Sequence, residues 1–243
     1  MFKITITATE PFSVNLPYWR SEWQSNFYRL LGPHSTFWHN TAIHTDHKHW
    51  HPWTFSRIHG VYHPLNKHRL RWNTASWDIL SPIPELLQIV HDALRKSPTW
   101  IWDHHQVSVV STLSNDDPPA PDTWHLAQAD TPITWHYPTD AHHTAHLDPY
   151  DDAFVPHALG SLAARWTAVQ QFRQQPPQPL RLELYPTGTQ TASLTQVHGT
   201  WVEGYTGLWI VRGDTPSLDA LFTLGWGARP SQGYGLLKLT SSS

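Results

Sequence analysis

Residues 34–51 hold His34, His39, His44, His47, His49 and His51, together with Asp46 and Lys48. An unperturbed imidazole titrates at about pH 6.5, so near neutrality it can accept a proton, donate one or bind a metal. Three readings fit the segment. The first is cleavage of RNA by its own 2′-hydroxyl, which needs a base, an acid for the leaving 5′-oxygen and a cation for the developing charge. Imidazoles suit the first two tasks and Lys48 the third. The second is zinc ligation by neutral imidazoles beside Asp46, although the segment lacks the H-E-x-x-H helical pattern. The third is composition alone. The chain has 19 histidines, and pairs such as His104-His105 and His142-His143 lie far from this segment.

A second segment reads Gly225-Trp226-Gly227-Ala228-Arg229-Pro230-Ser231-Gln232-Gly233-Tyr234-Gly235. Two G-x-G pairs permit positive φ and the close approach of another backbone. A dinucleotide fingerprint follows a strand and opens a helix; here the periodicity implies the reverse, a helix before the loop and a strand after it. A phosphate could then be held by a concave run of amides, helped by Arg229 and Ser231. A tight helix-to-strand turn is the purely structural reading of the same glycines.

The elements that must position these residues are legible from periodicity. Residues 2–9 alternate as a strand. Residues 17–31 carry apolar side chains at 19, 23, 27, 30 and 31, a helical spacing that Gly32-Pro33 ends. A shorter helical piece is expected at 35–43, strands at 53–62 and 68–79, and a helix from Pro84 to Leu94, with proline at its start. Residues 100–113 read as one strand. Ser114–Pro121 is polar and proline-rich, as linkers are. Beyond it, strand-like pieces at 123–137, a helix at 156–174, strands at 180–185 and 193–211 with room for more than two pieces, a helix at 218–224 and a strand at 234–239 repeat the order, with 138–155 left as loop. Two split βαβ units in tandem, an α+β fold of two ferredoxin-like (RRM-like) βαββαβ domains, are the economical reading. The domains are expected at 1–113 and 122–243.

Composition bounds the rest. The 243 residues are 39% hydrophobic, enough for a folded core. With no cysteine, disulfides, thiolate catalysis and cysteine-ligated metals are excluded. The N-terminus lacks a signal-peptide core, and no stretch approaches the roughly 18 apolar residues of a membrane span. A cytoplasmic protein with no membrane partner is expected. The formal charge of −3 argues against an extended nucleic-acid surface and leaves room only for a local basic patch. Most of the 15 tryptophans are expected in the core, a few free to stack on bases.

The C-terminal run Gly207-Leu208-Trp209-Ile210-Val211-Arg212-Gly213, then Leu218-Asp219-Ala220-Leu221, then the glycine segment, resembles the CRISPR-associated endoribonucleases that process precursor CRISPR RNA, within the repeat-associated mysterious protein superfamily. Pro52-Trp53-Thr54-Phe55-Ser56 is similar to a family stretch, and Thr131-Pro132 to another. The resemblance implies two ferredoxin-like domains and cleavage within the CRISPR repeat, without metal or cofactor, to a 2′,3′-cyclic phosphate. It implies repeat RNA as partner, with effector-complex subunits as further candidate partners. It points to His44 as the catalytic histidine, with His39 as the alternative, and to Tyr28 and Lys48 beside them. For RNA binding it points to Gly225, Gly227, Arg229, Ser231, Gln232, Gly233 and Gly235. His51 stands where relatives often carry Lys or Arg, and no glycine follows His39; the sequence departs from the family at both points. Two other functions stay open: a non-catalytic CRISPR RNA-binding subunit of an effector complex, and a histidine-rich metal-binding protein.

Overall fold

The computed structural model describes residues 1–40, 44–45, 48–138, 144–197 and 200–240; for 40, 44–45, 48–49, 136–138, 144–145, 196–197 and 200 it describes the backbone only. The first half runs β1 (Phe2–Ala8), β2 (Phe12–Asn15), α1 (Trp19–Leu31), α2 (Ser35–Asn40), β3 (His44–Thr45), β4 (Lys48–His49), β5 (Thr54–Phe55), β6 (His59–Asn66), β7 (Arg69–Leu80), α3 (Pro84–Lys96), β8 (Thr99–Trp102) and β9 (His105–Asn115). The second runs β10 (His125–Ala129), β11 (His136–Pro138), β12 (Thr144–His146), α4 (Phe154–Phe172), β13 (Leu182–Pro186), β14 (Thr191–Val197), β15 (Thr200–Thr206), β16 (Leu208–Gly213), α5 (Thr215–Leu224) and β17 (Leu237–Leu239).

The alternation of β1 turns Ile4, Ile6 and Ala8 inward between β7 and β9. In the larger sheet β6, β7, β1 and β9 lie side by side; in the smaller one β13, β16, β10 and β17 do. Both read second, third, first, fourth strand of a βαββαβ unit, the ferredoxin-like order. In the first half β2 and β5 also pair with β7, and β8 with β9.

Helix faces follow the apolar spacing. Helix α3 buries Leu86, Leu87, Val90 and Leu94, with Pro84 in its first turn. Helix α1 buries Trp23, Phe27, Leu30 and Leu31. Helix α5 starts at Asp214, whose carboxylate accepts the Ser217 amide at 3.0 Å. Tryptophan fills both halves: Trp23, Trp53, Trp77, Trp100 and Trp102 are buried in the first, and Trp209 and Trp226 in the second, while Trp124 and Trp201 stay 46% and 59% exposed.

The structure departs from the periodicity in two places. Residues 100–113 form two strands, because Asp103 and His104 both take positive φ (49° and 67°) and turn the chain between β8 and β9. That two-residue turn lacks the Asn-Gly or Gly signal by which sequence reveals it. The 138–155 segment, expected as loop, contains β12, whereas 193–211 holds β14, β15 and β16, the several pieces for which the pattern left room.

The halves are tied where β7 meets β17. Lys238 Nζ lies 2.9 Å from Asp78 Oδ2 and 3.1 Å from His59 Nε2. Asp130 bonds His59 Nε2 at 3.0 Å and accepts the Arg57 amide at 3.1 Å. Burial pushes the Asp130 carboxyl up, but the His59 bond, Lys238 and the Arg57 amide together hold it below its ordinary value.

Candidate functional site

The glycine segment leaves α5 and enters β17, the helix-to-strand placement that its spacing implies. It closes on itself: the Trp226 amide donates to Gly235 O at 2.7 Å. A Cβ on Gly235 (φ +74°) would overlap the Trp226 carbonyl, and one on Gly233 (φ +78°) would overlap the Phe55 ring.

Segments distant in sequence brace this loop. The Ala228 and Gly235 amides donate to Thr134 O at 2.8 Å and Pro132 O at 2.9 Å, and Thr131 Oγ1 accepts the Leu236 amide at 2.9 Å. From β5, Thr54 Oγ1 donates to Pro230 O at 3.4 Å. From α1, Gln24 Nε2 donates to Ser231 O at 3.1 Å and Arg20 Nε to Gly233 O at 3.4 Å. The 52–56 and 131–132 motifs therefore act together with the glycine loop rather than at separate sites.

Two buried arginines complete the frame. Arg165 on α4 donates from Nη1 to Leu224 O at 2.6 Å and from Nη2 to Gly225 O at 2.9 Å and Gly227 O at 3.4 Å. Arg20 lies between the Trp19 and Tyr234 rings, 4.4 and 4.5 Å from their centroids. Burial pulls Arg165 down to about 9 and Arg20 to about 10. Among the described residues neither has a carboxylate within ion-pair distance. Sequence reasoning passed over both: an arginine inside an apolar helical stripe looks like any solvated arginine until the fold is known.

The loop's polar edge meets the histidine segment. His51 Nδ1 lies 3.3 Å from Ser231 Oγ. The His39 ring is centred 5.2 Å from that of His51 and 5.1 Å from that of Tyr28; His51 also packs on Trp53 at 4.8 Å. Burial pushes the Tyr28 hydroxyl up to about 12, so it stays protonated and can donate a hydrogen bond but is a poor base near neutrality. The site thus joins two imidazoles, a phenol and a serine hydroxyl, with Arg229 two residues before that serine in the loop, groups suited to proton transfer at a phosphate.

Of the residues singled out from sequence, Tyr28, His39 and Ser231 come together around His51. Chain position alone does not single out His51; its pairing with Ser231 does. His44 and Lys48 lie on the β3–β4 ladder, with His44 opposite His49 and Lys48 opposite Thr45; their side chains are outside the described residues, as are Asp46, His47 and the His142-His143 pair altogether. Gly225, Gly227, Gly233 and Gly235 are buried. The amides of Trp226, Ala228, Gln232, Gly233 and Gly235 all donate within the protein. These five donors are engaged inside the protein, and the loop also offers the half-buried side chains of Arg229, Ser231 and Gln232. Arg229 Nη1 donates to Gln232 Oε1 at 3.2 Å. Among the described residues no three His, Asp or Glu side chains converge as a metal site, and no helix is long and apolar enough to cross a membrane.

Residues 118–239 match the family model for CRISPR associated protein Cas6, C-terminal. No curated protein matches the chain. A solved RAMP protein binding different RNA substrates aligns at TM-score 0.79 and 15% identity, over 99% of this chain and 100% of its own. A Cas6-related protein from Pyrococcus furiosus aligns at 0.77 and 16%, over 99% of both chains. A CRISPR associated protein Cas6 aligns at 0.75 and 14%, over 99% of this chain and 98% of its own. At these identities the likeness is one of fold, and it agrees with the two ferredoxin-like sheets.

Proposed function

The chain belongs to the CRISPR associated protein Cas6 family, and on that premise we propose that it is a metal-independent endoribonuclease that cuts CRISPR repeat RNA. One observation carries the reading: two histidines, His39 and His51, stand side by side, and His51 meets Ser231 of the glycine loop. In the reaction one neutral imidazole removes the proton of a 2′-hydroxyl, which attacks the adjacent phosphorus. The bond to the 5′-oxygen breaks, and a charged imidazole protonates that leaving oxygen. The products are a 2′,3′-cyclic phosphate and a 5′-hydroxyl. The Tyr28 hydroxyl and Arg229 offer donors to the phosphate oxygens, and the two buried guanidiniums beneath the loop favour an anion there. His44 and Lys48 are the alternative base and cation. Residues 1–113 and 122–243 are taken as the two domains.

The nucleophile belongs to the substrate and no activated water is needed, so cleavage of cognate repeat RNA persists in excess EDTA. Loss of cutting on chelation, restored by a divalent metal, would sink the mechanism. Binding without cutting under any condition would favour the reading of a non-catalytic CRISPR RNA-binding subunit. Arg229→Ala weakens repeat RNA binding by about 1–3 kcal/mol, the loss of one charge-assisted phosphate contact, with the melting temperature unchanged. An unaltered affinity in filter binding would remove Arg229 from the interface.

A further inference from the structure

Three side chains on one face of α1 meet the glycine loop and the histidines in turn. Arg20 reaches Gly233 O, Gln24 reaches Ser231 O, and Tyr28 packs against the His39 ring. They are spaced i, i+4 and i+8, so each stands roughly 6 Å along the helix axis from the next. The row ends at Arg20, in the first turn of α1.

The two buried guanidiniums differ in where their donors point. Arg165 engages both Nη groups inside the protein, on the carbonyls of Leu224, Gly225 and Gly227. Arg20 engages Nε alone, in a long bond of 3.4 Å to Gly233 O. Its Nη groups have no hydrogen-bond partner among the described residues. Arg229 Nε is sealed from solvent without a partner; the Arg20 Nη groups are not, so they lie within the 5% of this residue that stays accessible. The Trp19 and Tyr234 rings flank the guanidinium, and the Tyr234 hydroxyl is itself anchored on Thr195 Oγ1. The fork is therefore held in one position with its outer donors open. Among the described residues no carboxylate lies within ion-pair distance of it. A fixed cation with open donors and no internal counter-ion is complementary to an anion that reaches it from solvent.

We propose that Arg20 is a second phosphate-binding residue, which holds the phosphate of a nucleotide neighbouring the one that is cut. That the anion belongs to RNA rests on the proposed function; the open donors do not. A guanidinium offers two N–H groups in a planar fork to two phosphate oxygens, which a compact ammonium cannot match. Its place one turn of α1 beyond Gln24 sets that phosphate on the Gly233 side of Ser231, away from Tyr28 and His39. A strand gripped at this end is held in register across the two histidines.

Filter binding of cognate repeat RNA to the full chain, repeated over a series of salt concentrations, tests this. Arg20→Met binds about tenfold more weakly. Its slope of log affinity against log salt is shallower by about 0.7, the counterion release of one phosphate contact on a single strand. Arg20→Lys keeps the charge, so it restores the slope while its affinity stays below that of the parent. Arg20→Gln gives the same readouts should the methionine variant fail to fold. A second arm needs no RNA. Inorganic phosphate raises the thermal midpoint above that in chloride of equal ionic strength, by a few degrees more in the parent than in Arg20→Met. An unchanged salt slope in Arg20→Met, whatever its affinity, would overturn the proposal, because distortion of the loop alone leaves the number of phosphate contacts as it was. A phosphate effect on the melt that is equal in parent and variant would overturn it too. Neither arm measures cleavage, so a chain that shows both effects yet cuts no RNA keeps this site and loses only the nuclease reading.

Discussion

Alanine at His51 slows repeat-RNA cleavage by about 10²–10⁴-fold, and alanine at His39 does the same, while RNA affinity stays within a few-fold of the parent. A proton-transfer group is felt chiefly in the transition state, so its removal lowers the single-turnover rate and leaves the ground state nearly untouched. The two rings are neighbours, 5.2 Å apart, and groups acting in one step are not additive. The double variant should therefore be little slower than the worse single one. With one imidazole acting neutral and the other charged, the rate against pH is bell-shaped, and each single variant loses one limb. Single-turnover cleavage and filter binding, run side by side, decide the matter. Full activity in both single variants and in the double would remove this pair. If cleavage were then lost in His44→Ala, the role would move to the β3–β4 ladder, with Lys48→Ala the accompanying test for the cation.

Arg165→Met lowers the stability of the fold by about 3–5 kcal/mol, the usual cost of deleting one member of a buried charged hydrogen-bond set. For a chain of this size that is a fall of roughly 6–20 °C in the thermal midpoint. The guanidinium is fully buried and donates to three carbonyls, Leu224, Gly225 and Gly227, where α5 ends and the glycine loop begins. Methionine fills much of the same volume and offers none of those donors. Lysine keeps the charge, but a compact ammonium cannot span three acceptors in the plane that the guanidinium fork covers. Arg165→Lys should therefore fall between parent and Arg165→Met in a thermal melt. A melt for Arg165→Met within a degree or two of the parent would show that the three carbonyls find other partners and that the loop does not depend on this side chain.

Much of this architecture was legible from local pattern. The alternation of β1, the apolar stripes of α1 and α3 and the glycine pairs all report on neighbours a few residues away, and period alone reveals them. The strand order of both sheets followed from the repeated sequence of elements. What local pattern missed is equally specific. The turn at Asp103-His104 carries no glycine, so β8 and β9 merged into one strand. Five amides of the glycine loop donate inside the protein, three to Gly235, Arg229 and Pro230 of the loop itself and two to Thr134 and Pro132, a segment about a hundred residues away.

The amino-acid sequence by itself determined the fold class, the glycine loop and the histidine-rich segment, because each is written in residue type and spacing. Only the tertiary structure decided which members meet. His51 is one histidine among 19 until β5 sets Thr54 and Phe55 against the loop and its ring lies beside Ser231 and His39. Arg165 and Arg20 are two ordinary cations until burial, with no carboxylate within ion-pair distance among the described residues, makes them the internal support of the glycine loop. Proton transfer and phosphate binding depend on distances of a few ångströms, and those distances are set by long-range packing, which no local window of sequence contains.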